Sequence, residues 1–311
     1  MTTQPIPHWP GRPVELGDHQ VYVRSVPAGG EPALCVHGLA GSSRNWTDLM
    51  DLLRPALAAD ALDLPGFGDS PPRPDGRYSI AASAQTVTAL IERRRSVPER
   101  RGPVHLIANS LGGAVAVKVA AARPDLVKTL TLISPALPDS RPRLDLVRFP
   151  VMSLPRVGAR LLRKYGALPP QVRVADVITT CYSDPGLFPA ARFAVEVTEL
   201  SRRDTLDYAD AALVGSIRAL TAEVFRAGRL RAWRDAARVT APTLVIYGSH
   251  DRLVDPRMAG RAAHAFAGAR IVVLPRTGHV AHMERPAQVA AEIDVLLQAE
   301  RTREFPLAPA G

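Results

Sequence analysis

Only two cysteines, Cys35 and Cys181, occur in 311 residues, too few for a disulfide framework. Cys35 lies in the apolar run ALCV, where a buried, inert thiol is expected. Lysine is scarce as well. Lys118, Lys128 and Lys164 are the only ones among 39 basic residues, so the net charge of +9 is almost wholly arginine in an alanine-rich chain, a skew that suggests a GC-rich genome. No nucleic-acid motif and no aromatic stripe between the arginines accompanies it, which argues against a DNA or RNA partner. At most the charge suggests weak association with acidic lipid surfaces. No apolar run approaches the roughly eighteen residues a membrane-spanning helix needs, so stable insertion is not expected. No metal-ligand spacing is present, and no metal or cofactor is expected. The opening MTTQPIPHWPGRP lacks a basic stretch followed by an apolar one, so it does not read as a secretory signal, and a cytoplasmic location is expected.

What remains is ordinary for a globular protein: 46% hydrophobic and 22% charged residues, in a chain long enough for a large domain with an insertion. Short apolar β-type runs at 21–26, 32–38, 61–64, 104–109, 129–134, 243–249 and 269–275 alternate with helical patterns. Alternation of this kind predicts an α/β fold, a mostly parallel eight-stranded sheet with helices on both faces. The stretch VELGDHQVYVRSV reads as a hairpin across a Gly-Asp turn. Ser79 is placed to cap a helix over 79–95, and Pro286 to open one over 286–300.

The alternation fails between 137 and 240, where helical patterns rich in Arg and Pro replace strands. This stretch holds 17 Lys and Arg against 11 Asp and Glu. We read 14–136 and 241–303 as the core, 137–240 as an inserted helical cap, and 1–13 and 304–311 as tails.

The segment HLIANSLGGAVAV (105–117) places a polar pair, Asn109 and Ser110, inside an apolar run. A strand that passes straight into a helix through a tight turn forces the turn residue into a strained conformation and lifts its side chain clear of the sheet. The residues two before and two after must then be small, as Ala108 and Gly112 are. The alternative is a serine that merely caps the helix. A serine nucleophile needs a base and an anion to orient that base. His279 follows the run 269–275 and would emerge at the same sheet edge as Ser110. Asp251, after the run 243–249, supplies the carboxylate. Competitors are His282 for the base, and Asp139 and Asp255 for the acid, although Asp255 precedes Pro256 and looks like a helix cap. His250 reads as loop packing, and His8, His19, His105 and His264 as bystanders. The amides of Leu111, at the helix start, and of Leu39, in the turn HGLAGSS, are candidates to bind a developing oxyanion. His37, Gly38, Trp46, Asn109 and Val280 are candidates to line a substrate pocket. His37 could equally brace its loop, and Trp46 could pack the helix that follows it.

HGLAGSS, DLPGFGDS, ANSLGG, YGSHDRLVDP and TGHVAHMERP occur in the order found in capped α/β-hydrolase fold proteins, and the chain resembles that superfamily from about 20 to 300 apart from the cap. The resemblance implies a Ser110–His279–Asp251 triad without a cofactor, and no catalytic role for Asp63. Serine at the elbow sets the chain apart from the dehalogenases and epoxide hydrolases of this fold, which carry aspartate there. NSLGG also resembles the elbow of meta-cleavage-product hydrolases, which break a carbon–carbon bond. Those typically carry tryptophan directly after the histidine, where this chain has Val280. The expectation is therefore a serine esterase for a hydrophobic ester with a small to medium acyl group, with carbon–carbon hydrolysis and a non-catalytic receptor-like binder as alternatives.

Overall fold

The computed structural model describes residues 5–27, 29–96, 101–139, 151–152, 154–225 and 228–304. Strands β1 (Gly11–Glu15) and β2 (Gln20–Ser25) form the expected hairpin, with Gly17 at φ 91° in its turn. They are followed by β3 (Glu31–Val36), α1 (Thr47–Leu53), β4 (Leu57–Leu62), α2 (Ile80–Arg95), β5 (Val104–Asn109), α3 (Leu111–Ala122) and β6 (Val127–Ile133). After the described helices α4 (Pro155–Gly166), α5 (Pro170–Cys181), α6 (Ala190–Arg203), α7 (Ala209–Phe225) and α8 (Gly228–Ala237), the sheet resumes with β7 (Thr243–Gly248). It ends with α9 (Met258–Ala265), β8 (Arg270–Leu274), α10 (Ala281–Glu284) and α11 (Pro286–Glu304).

The eight strands make one sheet in the order β1-β2-β4-β3-β5-β6-β7-β8, antiparallel at β1–β2 and β2–β4 and parallel elsewhere. Strands β3 and β5 each run into a crossover that leads away from the other, so the crevice between their C-terminal ends is a topological switch point, where ligands of open α/β sheets bind.

Strand alternation sorts side chains into two cores. Leu34, Val36, Leu106 and Ala108 face α2, α3, α8 and α9, while Ala33, Cys35 and Ile107 face α1 and α11. Ser79 caps α2 by accepting from the Ala82 N–H, and Pro286 opens α11.

Three boundaries differ from the sequence reading. Strand β4 starts at Leu57 rather than 61, because Asp60, a charged residue inside a buried strand, conceals the pattern; its carboxylate is buried against Arg94 at 3.3 Å. Strand β1 starts at Gly11, inside the stretch taken as a tail. Helix α8, assigned to the insertion, packs Trp233 and Ala236 into the core formed with α3.

Candidate active site

Ser110 sits between β5 and α3 at φ 52° and ψ −116°, a region L-residues rarely occupy. Its N–H donates to Ile133 O at 3.0 Å, and its own carbonyl accepts from Ala114 and Ala136, so the turn is held on both sides. The hydroxyl makes no capping bond to α3, which removes the reading of Ser110 as a simple helix cap. The small flank is required: a Cβ on Gly112 would overlap the carbonyl oxygens of Val36 and His37. Gly112→Ala is therefore expected to cost about 3 kcal/mol or prevent folding, read as a drop in the urea midpoint.

His279 follows β8, and its Nδ1–H donates to Asp251 Oδ2 at 2.9 Å; both side chains are almost fully buried. Burial pushes the Asp251 carboxyl up. The neighbouring His279, its hydrogen bond and the N–H groups of Val254 and Leu253 outweigh that, and hold it below the usual carboxylate range. Asn109 joins this pair to the elbow. Its Nδ2 donates to Ile133 O at 3.0 Å and to the His279 carbonyl at 3.2 Å, tying the residue before Ser110 to the backbone of His279. Among the described residues neither Ser110 Oγ nor His279 Nε2 carries a hydrogen bond, so the structure joins the elbow to the imidazole through Asn109 and not by a direct serine–histidine bond.

The loop after β3 packs on the elbow: a Cβ on Gly38 would stand 3.1 Å from Ser110 Cβ and 2.8 Å from Asn109 Oδ1. Among the described residues the N–H groups of Leu39 and Leu111 have no protein acceptor, and Leu111 opens α3, where the helix dipole favours negative charge. His37 bonds through Nδ1 to the Gly38 carbonyl at 2.7 Å and accepts the Leu64 N–H on Nε2 at 2.9 Å. It braces the loop and presents no surface to a pocket. Asp63 accepts the N–H groups of Ser43 and Asp69 and likewise shapes loops.

Trp46 also departs from the pocket expectation. It is wholly buried and stacks on His282 at 4.2 Å. Asn109 is buried too, and it positions His279 rather than lining a cavity. Val280 packs beside Val174, Ile178 and Tyr182 of the α5 segment. The competitors fall away from the pair: Asp139 bonds Arg257 at 2.7 Å, and Asp255 caps the turn at Arg257.

His282 is driven to a pKa of about 3, first by burial and then by His279. Since the unfolded chain takes up that proton near the ordinary histidine value and the fold resists it, stability falls as pH drops below about 6.5. At pH 4.5 the loss from this residue is about 2–3 kcal/mol. His282→Phe keeps the stacking on Trp46 and is expected to remove this residue's share of the fall in the urea midpoint between pH 7 and pH 4.5, the remainder coming from His8, His37 and His105.

A residue that sequence reasoning missed is Glu284. Its carboxylate accepts from Gly278 N–H at 2.6 Å, Ser183 at 3.1 Å and Asp184 at 3.1 Å, clamping the histidine loop to the residues after α5. Cys181 O accepts the His279 N–H at 2.7 Å alongside it. The acid five places after His279, in HMERP, was the available signal.

An open parallel sheet with a strained serine at its switch point and a buried imidazole–carboxylate pair beside it defines an α/β hydrolase. Residues 33–292 match the model of the alpha/beta hydrolase family, and the chain belongs to that family. It is a hydrolase. A dihydrolipoyllysine-residue acetyltransferase component of an acetoin cleaving system from Pseudomonas putida is 28% identical over 87% of this chain; the match spans only 64% of that longer protein. A pimeloyl-[acyl-carrier protein] methyl ester esterase from Neisseria meningitidis serogroup B is 26% identical, over 86% of this chain and 93% of its own. The solved structure of 2-hydroxy-6-oxo-6-phenylhexa-2,4-dienoate hydrolase from Rhodococcus sp. strain RHA1 shares the fold with a TM-score of 0.73 at 18% identity, covering 93% of this chain and 98% of that one.

Proposed function

We propose that the chain is a serine esterase in which Ser110 attacks the carbonyl of a hydrophobic ester with a small to medium acyl group. The observation that carries this is an uncapped serine hydroxyl at a strained turn, tied through Asn109 to an imidazole whose other nitrogen donates to a buried carboxylate. His279 Nε2 takes the serine proton as Oγ bonds to the carbonyl carbon. The N–H groups of Leu39 and Leu111 bind the oxygen that becomes negative, each worth about 3 kcal/mol in the transition state. The tetrahedral intermediate expels the alcohol, which leaves with the proton held by His279. Water, deprotonated by the same nitrogen, then releases the acid and frees Ser110. Asp251 keeps the His279 proton on Nδ1, so that Nε2 can accept. No cofactor enters these steps.

In this reading, helices between β6 and β7 form a cap. It is supported by bonds that reach the strand-end loops: Arg202 to Gly68 O, Arg203 to Ala40 O, and the Glu284 clamp on Ser183 and Asp184. The relative named as a methyl ester esterase supports ester chemistry, and Val280 in place of tryptophan counts against carbon–carbon cleavage. No described helix is long and apolar enough to cross a membrane.

The test is turnover of a p-nitrophenyl ester series of increasing acyl length beside a chromophoric dienoate. Faster hydrolysis of a short or medium ester supports the proposal. Preference for the dienoate, or binding without turnover, overturns it.

A further inference from the structure

Helix α4, PRVGARLLRKYG, contains no acidic residue and four cations, Arg156, Arg160, Arg163 and Lys164. Within the helix Val157 and Leu161 lie one turn apart on one stripe, 45% and 41% exposed, and Leu154 just before it and Leu168 just after it are 50% and 41% exposed. Leu162, about 100° round the helix from Leu161, is buried, so the helix rests on the protein by a different face. Arg160 and Lys164 flank the exposed stripe, and with Arg156, Val157 and Leu161 they line a shallow open groove. None of the four cations forms an ion pair with a described residue.

A soluble domain rarely leaves an apolar stripe uncovered without a use for it. The charge decides between occupants. In a two-fold dimer through this face, each partner would bring its own four cations against the other's, with no acid on the helix to offset them. An anionic lipid surface meets both features: acyl chains receive the leucines and valine, while the long basic side chains reach back to the headgroups. We propose that α4 is an interfacial helix by which the protein docks on anionic membranes.

The docking face is linked to the site. Tyr165 of α4 donates to Arg173 O, Arg173 donates to Leu168 O, and the end of α5 holds His279 through the Cys181 carbonyl. If the esterase reading holds, docking presents the site to esters resident in the membrane. That consequence rests on the proposed function, whereas the docking itself does not.

The experiment is sedimentation of the full chain with phosphatidylcholine vesicles, with and without phosphatidylglycerol. Expected are binding to the anionic vesicles alone, weakening as salt rises, and its loss in Val157→Glu/Leu161→Glu. In Arg160→Gln/Lys164→Gln, which changes only surface charge, partitioning is expected to fall about 20-fold. Hydrolysis of a water-soluble ester is expected to be unchanged in both variants; wild-type inactivity on that ester would count against the esterase reading without touching the docking result. Absence of binding, equal binding to both vesicle types, binding that survives the charge substitutions, or a solution dimer broken by Val157→Glu/Leu161→Glu would overturn the proposal.

Discussion

Ser110→Ala is expected to lower kcat on the best p-nitrophenyl ester by about 10⁵–10⁶-fold while KM changes little, because the hydroxyl forms the covalent bond but contributes little to ground-state binding. The residual rate, from the oxyanion amides and substrate positioning, is expected to stay about 10³-fold above solvent hydrolysis. The fold should survive, since the Ser110 hydroxyl makes no capping bond and the turn is held through its backbone. Alanine in this conformation is strained as serine is, so the urea midpoint is expected to remain close to that of the parent. Steady-state kinetics and a denaturation curve on the same preparation check both halves.

Asp251→Asn is expected to cost about 10⁴-fold in kcat, with the geometry preserved. The reason is specific to the hydrogen bonds here. Asp251 Oδ1 accepts the N–H groups of Leu253 at 2.8 Å and Val254 at 2.9 Å, while Oδ2 accepts from His279 Nδ1. Asparagine must keep its oxygen toward those two amides, which turns its NH₂ toward His279. Nδ1 then becomes the acceptor, and the imidazole proton moves to Nε2. In the proposed mechanism Nε2 would then be a donor and could not take the hydroxyl proton of Ser110. The loss should appear in kcat and be partly recovered at high pH, where a small alkoxide fraction bypasses the base.

The placement of these two residues, Ser110 at a strained strand-to-helix turn and Asp251 bonded to His279, was legible in the sequence. A nucleophile at a strand-to-helix turn demands small neighbours, which Ala108 and Gly112 announce, and strand-end loops must deliver the base and acid to one edge. The sheet was legible for a similar reason, since most of its strands are buried on both faces and read as apolar runs. What failed depended on partners distant in sequence. Asp60 hid the start of β4 because its counterion, Arg94, lies on α2. Trp46 could not be assigned between pocket and core until His282 was seen stacked on it. Asn109 looked like a pocket residue because its tie to His279 spans 170 positions. Glu284 carried no periodic signal, and its role follows from three backbone amides that only the fold assembles.

The proposal that Ser110 is an activated nucleophile is tested most directly by peptide mapping after a fluorophosphonate probe has reacted with the intact protein. The account predicts one phosphonyl adduct, on the peptide containing Ser110, formed rapidly by the parent, far more slowly by Asp251→Asn and not at all by Ser110→Ala. An adduct on another residue, or equal labelling of the parent and Ser110→Ala, would contradict it.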